Sequence, residues 1–151
     1  MLRQHLNDAL KAAMKAQDKR RVSTLRLILA ALKDRDIAAR SGDNGDGISE
    51  SDILGMLQTM IRQRRDSIEQ FKQGGRKDLA DKEAEEIAVI QDFLPAQLDE
   101  GEVGEACRQV VAELEAGGLK DMGRVMGELK SRYTGRMDFA KASAAVKELL
   151  S

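Results

Sequence analysis

The chain is predicted to be all-α, with an N-terminal helical domain of about four helices followed by a small C-terminal bundle of about three. Apolar residues recur at three- and four-residue spacing along almost the whole 151-residue chain. The aromatics are only Phe71, Phe93, Phe139 and Tyr133, so the core must be built from Leu, Ile, Val, Met and Ala, a composition that favours helices. Glycine pairs, Ser and Asp caps and the single Pro95 mark the breaks between periodic runs, as helix ends require.

The first helix carries the stripe Leu2, Leu6, Ala9, Leu10, Ala13 and Met14, and the second carries Val22, Leu25, Leu29 and Leu32. Ser41 to Gly47 then reads as a flexible turn. Its Asp-Asn-Gly-Asp-Gly run resembles a calcium loop only superficially, because alternation from Asp43 lands on Gly45 and Gly47, which offer no side-chain oxygen. Ser49 with Asp52 resembles a capping box and opens a long helix through Ile53, Leu57, Met60, Ile61, Ile68 and Phe71, which Gly74-Gly75 ends. The fourth helix runs from about Lys77 through Leu79, Ala84, Ile87 and Ile90 to Phe93-Leu94, where Pro95 forbids continuation. This boundary divides a domain of residues 1–94 from one of residues 95–151. Asp99 and Glu102 cap a helix with Val103, Cys107, Val110 and Leu114, which Gly117-Gly118 terminates. The last two helices start at Asp121 and Asp138, with Gly135 between them.

Several chemistries are excluded by inventory. A lone His5 removes histidine-rich metal sites, and Cys107 as the only cysteine removes disulfides and cysteine metal clusters. Cys107 sits on an apolar stripe, a poor place for a nucleophile. The acids Asp78, Asp81, Glu83, Glu85 and Glu86 alternate with Lys77 and Lys82, as on a solvated helix with i,i+4 ion pairs. No phosphate-cradling glycine loop occurs. The residues therefore predict no catalytic residue, metal or cofactor. Neither a signal-peptide core nor a membrane-spanning run is present, and the expected location is cytoplasmic.

The helix beginning at Asp121 is the most informative. Two glycines inside it, Gly123 and Gly127, each cost about 1 kcal/mol against alanine, so something must need close approach to that backbone. Projected at about 100° per residue, Met122, Val125, Met126, Leu129 and Tyr133 form an apolar arc. Gly123, Gly127, Lys130 and Thr134 line its edge, with Lys120 and Arg124 beyond. One reading packs a neighbouring helix on the strip, for which Ala142 and Ala145 have the right size. The other brings a phosphate–ribose backbone to it, with Lys120, Arg124, Lys130 and Arg136 neutralising phosphates. The carboxylate of Asp121, at the helix start, is expected to occupy amides that would otherwise attract an anion. A secondary basic patch is expected from Lys19, Arg20, Arg21 and Arg26 on the second helix with Arg62, Arg64 and Arg65 on the third.

Together these residues resemble the GatB/YqeY family, specifically its stand-alone YqeY-like members. The resemblance rests on Lys19-Arg20 with Thr24-Leu25-Arg26-Leu27, on Arg62-Gln63-Arg64 with Ser67-Ile68-Glu69 and Phe71, and on Gly75-Arg76 with Asp78-Leu79. Leu94-Pro95 with Gln97-Leu98 and the run Asp121 to Gly127 complete it. It implies a C-terminal domain similar to the tail of the B subunit of the glutamine-dependent Asp/Glu-tRNA amidotransferase, a tail that contacts tRNA. Gly123, Val125, Met126 and Gly135-Arg136 match that tail's motif, whereas Met137 and Phe139 depart from its small residues. The resemblance makes tRNA an expected partner, with a tRNA amidotransferase or synthetase as the alternative. Homology would also carry over carbon–nitrogen ligase activity with glutamine as amido-N-donor, although nothing here looks like the glutaminase or kinase domains.

Overall fold

The structure, a computed structural model, describes residues 1–40 and 47–151. Residues 41–46, with the acids of the calcium-loop comparison, lie outside the described residues. Seven α-helices occur among them: α1 (Leu2–Lys15), α2 (Lys19–Ala39), α3 (Glu50–Gln73), α4 (Lys77–Gln91), α5 (Glu100–Glu113), α6 (Met122–Arg132) and α7 (Phe139–Leu150). A single 3-10 turn, Leu119–Asp121, precedes α6. The all-α expectation holds. The chain falls into two compact units, Met1–Leu94 and Pro95–Ser151.

In the first unit, α1 packs on α2, α3 on α4, and α2 on α4. Leu6, Leu25, Ile28, Ile53, Met56, Leu57 and Ile90 are fully enclosed in an aliphatic core. At about 1.5–3 kcal/mol for each large side chain fully buried, these contacts supply the main driving force for the helices to assemble. Two stripe residues behave otherwise than expected: Met14 is half exposed, and Ala84 faces solvent.

The chemistry of the helix ends is realised in detail. Ser49 accepts a hydrogen bond from the Asp52 amide at 3.1 Å, and Asp99 and Glu102 form a reciprocal capping box. At the end of α3 the Arg76 amide reaches the Phe71 carbonyl and that of Gly75 the Lys72 carbonyl, with Gly75 in the left-handed region (φ +72°). This is a Schellman motif, in which the left-handed residue returns the chain over the last carbonyls. The same motif ends α5, but there the left-handed residue is Glu115 (φ +51°), not the expected Gly117-Gly118. The turn closes before the glycines are reached.

One polar clamp closes the first unit. Arg3 on α1 donates to Asp36 on α2 through Nη1 (2.5 Å) and Nη2 (2.7 Å), and also to the Ile48 carbonyl at 2.9 Å. Asp36 in turn accepts from the Ile48 amide at 2.9 Å. The buried Gly47 (φ +89°) lies against this pair, where a Cβ would overlap the Asp36 carboxylate and sit 2.8 Å from Arg3 Nη2. The Arg3 hydrogen bonds, followed by the Ile48 amide, lower the Asp36 pKa from 3.8 to about 2.

Because the folded pKa lies below the unfolded one, the clamp's contribution is present in full above pH 4 and is lost as pH falls through 2. Water partly screens the half-exposed Arg3, so that contribution is on the order of 1 kcal/mol. Urea midpoints measured from pH 5 to pH 2 should fall more steeply for the native chain than for Asp36→Asn. Parallel slopes would remove the clamp from the acid response.

In the second unit, α5, α6 and α7 form a three-helix bundle around Cys107, Val110, Val125, Leu129, Met137, Ala142 and Val146. The segment after Pro95 is pinned to the α6–α7 turn. The Leu98 amide donates to the Arg136 carbonyl (2.8 Å), Gln97 Nε2 to the Gly135 carbonyl (2.6 Å), and Arg136 Nε to the Ala96 carbonyl (3.1 Å).

Candidate nucleic-acid interface on the glycine helix

The apolar arc of α6 faces inward as its periodicity requires. Val125 and Leu129 are fully buried, with Met122, Met126 and Tyr133 packed around them. Gly123 and Gly127 consequently stand on the outer side. Both are exposed, and a Cβ built on either meets nothing within 4 Å.

Ala142 and Ala145 do not cover the strip. Ala142 is fully buried in the bundle core, where its carbonyl receives the Cys107 thiol at 3.9 Å, and Ala145 packs on the same core. No helix of this unit needs the glycines to be small, so the packing explanation of their cost fails.

The cations around the strip differ in their engagement. Lys120 and Lys130 are exposed and have no carboxylate within 4.0 Å among the described residues. Arg124 is half exposed and sits 3.4 Å from Asp121. Arg136 has the structural task already described and also lies 6.0 Å from the centre of the Tyr133 ring. Thr134 turns its hydroxyl to the Lys130 carbonyl.

Asp121 corrects the expectation that it would occupy the first amides of α6. It makes no capping hydrogen bond to that helix. Its carboxylate instead accepts from the Gly117 amide at 2.9 Å, and this bond, ahead of the nearby Arg124 and Lys120, holds its pKa below the ordinary value. The departures at Met137 and Phe139 do not touch the strip either, since Met137 is buried and Phe139 packs against the core.

The secondary basic patch is split by α4. Arg20 pairs with Glu85 (2.6 Å), Arg21 with Asp92 (2.8 Å) and Arg64 with Glu86 (2.8 Å). Glu85 and Glu86 of α4 therefore reach across to α2 and α3, in place of the expected i,i+4 pairs along α4, and Asp92 just past its end does the same. Lys19, Arg26, Arg62 and Arg65 stay exposed, with no ion pair among the described residues. Sequence reading missed this division because the carboxylate partners of each cluster come from a distant part of the chain, Glu86 for Arg64 lying 22 residues away and Glu85 for Arg20 lying 65.

Cys107 is fully buried, and burial raises its thiol above the ordinary pKa, with Arg108 opposing. His5 is exposed and stacks edge-on to Phe93 with ring centres 4.9 Å apart. Among the described residues no three His, Cys, Asp or Glu side chains converge as metal ligands do.

The class so defined is an all-helical protein whose C-terminal three-helix unit bears a bare backbone strip with cations beside it. The chain belongs to the Yqey-like protein family, whose model matches residues 3–150. Among curated relatives it is similar to the "Altered inheritance of mitochondria protein 41, mitochondrial" of Lachancea thermotolerans, 36% identical over 90 residues, which cover 60% of this chain and 46% of that protein. The protein of the same name from Eremothecium gossypii is 38% identical over 92 residues, 61% of this chain and 48% of that one. The one from Pyrenophora tritici-repentis is 28% identical over 145 residues, 93% and 76%. The matched region spans about half the length of the first two relatives.

These names overturn the expected cytoplasmic location, since each relative is called mitochondrial. That expectation rested on the absence of a long apolar run. Amphipathic mitochondrial transit segments have none, so the reasoning carried no information about this compartment.

Proposed function

We propose that the C-terminal unit is a non-catalytic tRNA-associated module whose α6 receives a phosphate–ribose backbone along Gly123 and Gly127. The observation that carries the reading is the open space over both glycines. A helix that accepts about 1 kcal/mol for Gly127 and a smaller cost for Gly123, with no neighbour to require either, is suited to a backbone from outside. Lys120, Lys130 and Arg124 stand where phosphates would be neutralised, and the likeness to the amidotransferase tail points the same way. Stacking platforms for single-stranded bases are lacking on this strip, so recognition would follow backbone shape.

Titration with bulk tRNA at several salt concentrations tests the proposal. Affinity should fall as salt rises, and Lys130→Glu should weaken binding while reducing the log–log salt slope by about one. Salt-insensitive binding, or no binding near physiological salt, would end the proposal.

A further inference from the structure

Helix α2 is apolar on two sides, and its own fold uses only one. Thr24, Leu25, Ile28 and Leu32 are buried inward. On the opposite side Leu27 and Ile37 remain 45% and 50% exposed, with the exposed Ala30 between them. Ser23, Leu27, Ala30, Asp34 and Ile37 follow one another at alternating four- and three-residue steps, the spacing of a coiled-coil seam.

The flank of this seam is a column of one charge. Lys19, Arg26, Lys33 and Arg40 are each seven residues apart, Arg26 and Lys33 directly preceding the seam positions Leu27 and Asp34, and all four are exposed. They recur at about 10 Å along the helix axis. None has a carboxylate within 4.0 Å among the described residues. In paired helices this position selects the partner through its charge.

We propose that the outer face of α2 is a docking seat for an acidic amphipathic helix of a partner protein. Leu27, Ala30 and Ile37 bury its apolar stripe, and the cation column meets its carboxylates. Asp34, the one acid within the seam, sets the register by requiring a cation opposite. A nucleic-acid backbone would gain nothing from covering Leu27 and Ile37. A second copy of α2, laid antiparallel, would set one cation column against another.

The probe is a synthetic four-turn helix with leucine along its seam, glutamate on both flanks and one lysine placed to meet Asp34, titrated against the full chain. The glutamate helix should bind at least tenfold more tightly than the same helix with lysine flanks. Arg26→Glu with Lys33→Glu should reverse that preference, and Leu27→Ser with Ile37→Ser should abolish binding while the circular dichroism stays native. Absence of binding, or binding unchanged in both double variants, overturns the proposal. Direct binding of bulk tRNA that Arg26→Glu with Lys33→Glu abolishes, with no binding of the glutamate helix to the native chain, would overturn it in favour of RNA. A dimer dispersed by Ile37→Ser would overturn it in favour of a second copy. Lys130→Glu leaves this seat intact, so the two surfaces stand or fall separately.

Discussion

Replacing Gly123 and Gly127 together by alanine should stabilise the C-terminal unit and weaken its hold on tRNA. Alanine is favoured over glycine by about 1 kcal/mol in a helix interior, and both positions have room for the methyl group. Gly127 lies mid-helix and should give the full gain, while Gly123, in the first turn, should give less. A total of about 1–2 kcal/mol corresponds to a rise in melting temperature of roughly 5–10 °C for a unit of this size. Slowed amide exchange in α6 would locate the gain.

The same methyl groups would hold a phosphate–ribose backbone away from the helix, and a loss of affinity of about tenfold, or 1.4 kcal/mol, is expected. Gly55→Ala in α3 is the control, because that glycine is also exposed with open space around it. It should stabilise the other unit and leave tRNA binding alone. A double variant that gains stability and binds tRNA as before would show that nothing approaches the strip.

Gly47→Ala should cause the largest loss of stability in the first unit, about 2–4 kcal/mol. Its φ of +89° disfavours any side chain, and the Cβ would displace the Asp36 carboxylate from Arg3. Gly75→Ala separates the two causes. It has a similar φ of +72° but open space, so it should cost only about 1 kcal/mol for the backbone conformation. Urea denaturation at pH 7 distinguishes them, and Gly47→Ala should also flatten the acid response between pH 4 and pH 2. Equal losses at the two glycines would show that the clamp adds nothing.

The contrast between these glycines shows what could be read from the chain alone. Periodicity marks the helices because a buried face must repeat every three to four residues, and it correctly turned Val125 and Leu129 inward. Capping was legible at Asp99 and Glu102 because both partners lie within four residues. The position of the bare strip on α6 followed from the same projection. Whether Ala142 covered it did not, because side-chain size says what a helix can accept and not which helix arrives.

Gly47 was read as part of a mobile turn because glycine signals a turn without naming what lies above it. Arg3 and Asp36, 33 residues apart, carry no local mark of their pairing. The carboxylates of α4 looked like a solvated row because their partners Arg20 and Arg64 come from other helices. Glu115 in a left-handed position runs against the usual preference for glycine, so the end of α5 was placed two residues late.

The enclosure of Cys107 has a practical consequence for watching this surface at work. The chain's single thiol is sealed in the bundle core, so a second one placed outside becomes the only site that chemical labels can reach. Ser131, exposed one turn beyond Gly127, offers such a place through the exchange of one oxygen for sulfur. A dye or photocrosslinker attached there would report directly on whatever comes to rest against the bare backbone, without any native cysteine first having to be removed.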